Sequence, residues 1–121
     1  MSAKILIVDD APIIRLMLKN ILLQNGFEVI GEAANGLEAV EMYQSLKPDL
    51  VTMDIVMPEC DGIEALEQIL SISRDAKVLM VTALDQREPL MRAIKIGAFD
   101  YIVKPFENDR VVSAINKALG C

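Results

Sequence analysis

The sequence predicts an α/β fold in which five parallel strands form one doubly wound sheet with helices on both faces. Short apolar runs alternate five times with segments whose apolar residues recur at helical spacing. This strict alternation favours right-handed crossovers and three layers, α/β/α. Polar residues follow the apolar runs, and ligands of such sheets bind outside the carboxyl ends of the strands.

The strands are predicted from nearly continuous apolar runs, which are typical of strands buried on both faces of a parallel sheet. They cover residues 5–8, 27–33, 50–53, 78–81 and 101–103. Pro12 fits the first turn of the first helix, and Asn25-Gly26 fits its end. Asp61-Gly62 fits the start of the third helix.

The fourth helix has conflicting start signals. Asp85 and Glu88 have the spacing of a capping box, but Pro89 then lies in the first turn and removes a backbone donor. Either the helix begins later or its first turn is weak.

Composition predicts one soluble domain spanning residues 1–121. Hydrophobic residues make up 53% of the chain, enough for a core without disulfides, and no apolar run is long enough for a membrane span. The N-terminus lacks a secretory signal, which favours the cytoplasm. Cys60 and Cys121 lack metal-site spacing and suit a reducing compartment.

Net charge and the lack of histidine argue against two function classes. A net charge of -6 argues against non-specific nucleic-acid binding. The chain has no histidine and therefore cannot donate a phosphoryl group from a phosphohistidine.

Acidic residues at two predicted strand ends indicate a magnesium site. Asp9, Asp10 and Asp54 would supply carboxylate ligands or hold a metal-bound water, and the backbone carbonyl of Val56 could complete the set. The alternative is that Asp9 and Asp10 cap the first helix. Capping explains one acid there, but not two acids with a third nearby.

Asp54 is the predicted phosphoryl acceptor, because a carboxylate can form an acyl phosphate. The ammonium of Lys104 would neutralise charge on the phosphoryl oxygens, and the hydroxyl of Thr82 could donate to one of them. Taken singly, Thr82 could be an ordinary strand residue and Lys104 a surface lysine.

Two features of the last strand remain open. Lys104-Pro105 is a candidate cis peptide. Tyr101 is either a core residue or a side chain that switches rotamer, and the sequence does not decide between these.

Together these motifs resemble the receiver domains of bacterial two-component response regulators. The resemblance covers essentially the whole chain, through Asp9-Asp10, the segment ending in Asp54, Met57-Pro58 with Asp61-Gly62, Thr82-Ala83 and Lys104-Pro105-Phe106. It implies a flavodoxin-like sheet with strand order 2-1-3-4-5 and no output domain.

The resemblance also implies roles and partners. A sensor histidine kinase would phosphorylate Asp54, with Mg2+ held by Asp9, Asp10 and Val56. Lys104 would contact the phosphoryl group, while Thr82 and Tyr101 would form a switch pair. The output would be a protein contact, in chemotaxis at a flagellar motor switch protein, and a phosphatase is a possible further partner.

Apolar residues lie two positions after Asp54 and after Thr82, where the family often has polar side chains that influence hydrolysis. We expect Val56 and Leu84 to slow the attack of water on the phosphorylated protein.

Three other functions share some of these sequence features. A phosphorelay intermediate would pass the phosphoryl group to a histidine phosphotransfer protein. A magnesium-dependent aspartyl phosphatase usually has its nucleophile and second acid two residues apart on one strand, unlike Asp9-Asp10 and Asp54. A flavin-binding module that shares only the fold would need a phosphate-binding loop, whereas the first loop here is acidic.

Overall fold

The computed structural model of the chain describes residues 2–57, 60–83 and 85–120. Five strands alternate with five helices: β1 (Lys4–Val8), α1 (Pro12–Gln24), β2 (Glu28–Ala33), α2 (Gly36–Leu46), β3 (Leu50–Asp54), α3 (Gly62–Ile72), β4 (Val78–Thr82), α4 (Arg87–Ile96), β5 (Asp100–Val103) and α5 (Asn108–Leu119). The predicted α/β class is confirmed.

All four strand pairings are parallel, and the sheet order is β2-β1-β3-β4-β5. The order that the resemblance implied is therefore confirmed. β3 lies at the centre, and its side chains are buried along its whole length. Within the described part of the chain, no helix is both long and apolar enough to cross a membrane.

Alternate strand residues build a core layer on each face of the sheet, as the period-two geometry of a strand requires. One layer joins the sheet to α2, α3 and α4, and includes Val8, Met53 and Met80. The other joins it to α1 and α5, and includes Ile7, Leu79 and Ile102. Because both faces are covered, the side chains at the strand ends are held by packed elements on either side.

Local signals fix most helix ends. Asn35 caps α2 and Asp61 caps α3, each accepting bonds from backbone N–H groups of the first turn. Gly26 after α1 has φ 83°, a left-handed conformation that glycine adopts without strain.

The start of α4 differs from the capping box that the sequence suggested. Gln86, not Asp85, is the N-cap, and the helix begins at Arg87. Pro89 is thus the third helical residue. A backbone N–H at this position would have no acceptor within the helix, so its absence removes no helical hydrogen bond. The alternative in which the helix starts later is confirmed.

Candidate phosphoryl-acceptor and metal site

The sheet order places the predicted site residues together at the carboxyl ends of the strands. Asp9 follows β1, Asp54 ends β3, Thr82 ends β4 and Lys104 follows β5. Because these strands are neighbours and parallel, their carboxyl ends lie side by side. The structure thereby brings together residues that are up to 95 positions apart in sequence, from Asp9 to Lys104.

Three carboxylates form the centre of the site. Asp9, Asp10 and Asp54 each offer an oxygen, and these oxygens lie within 4.8 Å of one another. Asp9 is fully buried and Asp54 is 5% exposed, whereas Asp10 is exposed. The alternative that the first two acids cap α1 is wrong, because Ala11 is the N-cap and no side chain caps that helix.

Asp9 is held from four directions. Its backbone N–H donates to the carbonyl of Ala33 (3.0 Å), and its Oδ1 accepts from the backbone N–H of Ala11 (2.9 Å). Its carbonyl accepts from Nη1 of Arg15 (2.6 Å), whose Nε donates to Glu32 (3.3 Å). The turn between β1 and α1 is therefore fixed before any ligand binds.

Lys104 is the fourth contact of Asp9. Its Nζ lies 3.0 Å from Oδ2 of Asp9 and 3.3 Å from Oδ1 of Asp54. The contact with Asp54 has hydrogen-bond geometry, whereas Oδ2 of Asp9 has no aligned donor. The backbone N–H of Lys104 donates to the carbonyl of Thr82 (2.7 Å), and the Lys104–Pro105 peptide is cis, as the sequence suggested.

The environment changes the acidity of both partners. The pKa of Asp54 is raised from 3.8 to about 6, mainly by burial and secondly by the charge of Asp9, while the ammonium of Lys104 offsets part of the rise. Burial alone would lower the pKa of Lys104, but its contacts with Asp9 and Asp54 outweigh burial and raise it. At neutral pH the site therefore combines an ionised carboxylate with an ammonium.

The residues present fit a small divalent cation. Magnesium prefers oxygen ligands and keeps several waters, and the cluster offers carboxylate oxygens at a solvent-facing edge. The buried Oδ2 of Asp9 is ion-paired with Lys104 (3.0 Å) but has no aligned hydrogen bond, so it keeps lone-pair capacity for a metal ion or a metal-bound water. Val56 is 56% exposed just beyond Asp54, and its carbonyl as a ligand stays a prediction.

Within the described residues, neither the hydroxyl of Thr82 nor the ring of Tyr101 is bonded to the acidic cluster. Thr82 is 1% exposed, and its hydroxyl lies 3.2 Å from the carbonyl of Ala83 and 3.2 Å from Oε1 of Gln86. Tyr101 is 40% exposed beside the guanidinium of Arg110, so core packing of its ring is wrong. The motif residue Pro58 and the residues Leu84 and Cys121 lie outside the described residues.

Two glycines hold the loop after Asp54 by close backbone approach. A Cβ on Gly62 would lie 2.0 Å from the carbonyl oxygen of Asp54, and one on Gly36 would lie 2.3 Å from that of Cys60. The backbone N–H of Gly62 donates to the carbonyl of Ile55 (2.8 Å), and that of Gly36 donates to the carbonyl of Cys60 (2.9 Å). The backbone around Asp54 is thus fixed by α2 and α3.

Sequence reasoning missed Arg15 and Gln86. Arg15 lies six residues after Asp9, which on the following helix allows its side chain to reach back to the strand end. Gln86 lies four residues after Thr82, but no general pattern assigns a glutamine there, so only the structure shows the contact.

Comparisons with known proteins show the family to which the chain belongs. The family model described as the response regulator receiver domain matches residues 5–116. This chain is a response regulator receiver domain. Chemotaxis protein CheY of Bacillus subtilis strain 168 is 56% identical over 119 residues, covering 98% of this chain and 99% of that protein.

Solved receiver domains share the fold closely. A putative response regulator from Chloroflexus aurantiacus J-10-fl has a TM-score of 0.94 at 29% identity, and the match covers 100% of both chains. A chain of the CheX–CheY–BeF3–Mg+2 complex from Borrelia burgdorferi has a TM-score of 0.91 at 34% identity and covers 97% of this chain and 89% of its own. The acidic cluster therefore lies in a receiver fold.

Proposed function

We propose that this receiver domain is a phosphorylation switch in which Asp54 accepts a phosphoryl group from a phosphohistidine of a sensor histidine kinase. The observation that carries the proposal is the geometry of Asp54, a buried carboxylate beside Asp9 and Asp10 and 3.3 Å from the ammonium of Lys104. Such transfer depends on positioning and charge neutralisation more than on acid–base chemistry.

In the proposed step, an oxygen of Asp54 forms a bond to phosphorus as the bond from phosphorus to the donor imidazole breaks. The electron pair of the broken bond returns to the imidazole nitrogen, so no external base is required. Lys104 lies close enough to stabilise charge on a phosphoryl oxygen, and Asp9 holds Lys104 in place.

Magnesium is the proposed cofactor, held by Asp9, Asp10, Asp54 and the carbonyl of Val56. When bound, it would neutralise charge on the phosphoryl oxygens. The buried Oδ2 of Asp9, which has an ion pair with Lys104 but no aligned hydrogen bond, supports this assignment, as does the BeF3–Mg+2 complex of the related CheY.

The proposed output is a protein contact in chemotaxis, in the cytoplasm, at a flagellar motor switch protein. Support comes from the chemotaxis name of the relatives and their matching length. The solved complex of a related CheY with CheX supports a further protein partner. In this proposal the chain is a single receiver domain that catalyses only reactions of its own Asp54.

The test is intact mass after incubation with acetyl phosphate, with and without Mg2+, for the wild type and Asp54→Asn. We expect one added phosphoryl group that requires both Mg2+ and Asp54. Asp49→Asn, an exposed acid before β3, is the matched control and should be phosphorylated normally. No mass gain in the wild type with Mg2+ would contradict the proposal, and steady hydrolysis of generic phosphate esters would favour a phosphatase.

A further inference from the structure

The hydroxyl of Thr82 faces acceptors other than the carboxylates of the acidic cluster. Within the described residues its acceptors are Oε1 of Gln86 and the carbonyl of Ala83, each at 3.2 Å. A hydroxyl has a single proton and therefore donates to one acceptor at a time. Neither acceptor belongs to the cluster of Asp9, Asp10 and Asp54.

Gln86 fixes the end of β4 rather than its own helix. As the N-cap of α4 it makes no side-chain bond to the first turn. Its Oε1 instead accepts from the backbone N–H of Ala83 (3.2 Å) as well as facing the hydroxyl of Thr82. The backbone N–H of Gln86 donates to the carbonyl of Ala83 (3.2 Å). One side chain thus holds both the last residue of β4 and the next residue.

We infer that Gln86 is a positioning residue that holds the hydroxyl of Thr82 away from Asp54 until a phosphoryl group competes for it. This inference rests on the proposed function, in which Thr82 donates to a phosphoryl oxygen. Because Thr82 is 1% exposed, water does not readily replace these acceptors, and without Gln86 the carbonyl of Ala83 is the acceptor that remains. A phosphoryl oxygen therefore competes with two protein acceptors in the wild type and with one when Gln86 cannot accept.

This arrangement connects the chemistry to α4. The carbonyl of Gln86 accepts the first intrahelical bond, from the backbone N–H of Leu90 (3.1 Å). When the side chain of Gln86 loses Thr82, one of the bonds between the strand end and the helix start is lost with it. The two states are the one in which Thr82 is bonded to Gln86 and the one in which it is bonded to the phosphoryl group. Phosphorylation shifts the population between them only by the difference in its interaction with each state, so the strength of the Thr82–Gln86 bond sets part of the shift.

The experiment measures the Mg2+-dependent binding of BeF3-, a phosphoryl mimic, by isothermal titration calorimetry. Gln86→Met keeps the side-chain size and removes the acceptor, so we expect binding to become about two- to tenfold tighter than in the wild type. Gln86→Glu keeps an acceptor and should bind no more tightly than the wild type. The matched control is Gln68→Met, an exposed glutamine on α3, which should bind as the wild type does.

A second background separates positioning from a general structural effect. In Thr82→Ala, the change from Gln86 to Met should no longer alter BeF3- binding, because the hydroxyl that Gln86 holds is absent. If Gln86→Met does not fold, as judged by circular dichroism, Gln86→Asn replaces it, since Asn is one methylene too short to reach Thr82.

Two results would overturn the inference alone: unchanged or weaker BeF3- affinity in Gln86→Met (or in Gln86→Asn where it replaces Met), or an equal gain in affinity in the Thr82→Ala background. A wild type that binds BeF3- only in the absence of Mg2+, or not at all, and that gains no phosphoryl group would overturn the proposed function and this inference together.

Discussion

Asp54 shows how a single position can be costly for folding and useful for chemistry. The residue is 5% exposed, and burial together with the nearby charge of Asp9 raises its pKa to about 6. A raised pKa means that the ionised form is less favourable in the folded chain than in the unfolded one. The single salt-bridging ammonium of Lys104 does not remove this cost.

We therefore expect Asp54→Asn to be more stable than the wild type by about 1–2 kcal/mol at pH 7.5 in EDTA. Urea denaturation measures the difference. The control is Asp10→Asn in the same cluster, whose side chain is exposed and whose replacement should change stability less. A less stable Asp54→Asn would show that the contact with Lys104 outweighs burial.

Val56 offers a second prediction at this scale. It is 56% exposed two residues after Asp54 and presents only methyl groups. An amide in its place could orient an attacking water, so Val56→Asn should lose its phosphoryl group about three- to tenfold faster. The rate is measured by intact mass after removal of acetyl phosphate. Val56→Ala, which is small and still apolar, should not reproduce the acceleration, and an unchanged or slower rate in Val56→Asn would contradict the role.

At the level of the elements, the loop between β3 and α3 owes its shape to close packing of backbone. Gly62 begins α3 with its Cα against the carbonyl of Asp54, and Asp61 caps the same helix through its Oδ1. The sequence predicted the helix start from the Asp-Gly pair, but not the contact with Asp54, because no spacing rule reports on backbone approach. The same limit applied at α4, where the N-cap proved to be Gln86.

Replacing Gly62 with alanine should destabilise the protein by about 2–4 kcal/mol, because the new Cβ would lie 2.0 Å from a backbone oxygen and the loop must move. The same movement should weaken Mg2+ binding, measured by calorimetry beside urea denaturation. Gly26→Ala is the control: it has φ 83° and open space, so it should cost about 1 kcal/mol and leave Mg2+ affinity unchanged. Equal Mg2+ affinity in both variants would contradict this coupling.

For the whole molecule, the lack of histidine simplifies the response to pH. The folded pKa of Asp54 is about 6 against 3.8 as a model value, so the folded chain holds this proton more tightly. The contribution of this bound proton to the stability of the folded chain is fully present below pH 3.8, declines as pH rises through about 6, and is absent above that. Cys60, whose pKa burial raises to about 11, lies outside this range.

Without metal, the free energy of unfolding should therefore fall by about 1–2 kcal/mol between pH 5 and pH 7.5. Urea denaturation in EDTA across this range measures the fall. Asp54→Asn should show a flatter profile, and a wild type whose stability rises over the interval would contradict the raised pKa.

Most of the architecture was predictable because it depends on local periodicity. The buried run of β3 and the stop at Gly26 are readable in the sequence, and the parallel order follows from the family resemblance. The reach of individual side chains from one element to another was not predictable from the sequence. Arg15 on the carbonyl of Asp9 and Gln86 on Thr82 are contacts between a helix and a strand end, which depend on packing angles rather than on spacing.

The position of Lys104 between Asp9 and Asp54 also fixes the charge of the site by simple counting. Three carboxylates and one ammonium sum to −3 + 1 = −2, which one divalent cation neutralises. An aspartyl phosphate in place of ionised Asp54 carries one more negative charge, so the same neutral assembly becomes an anion. Loss of the phosphoryl group restores electroneutrality.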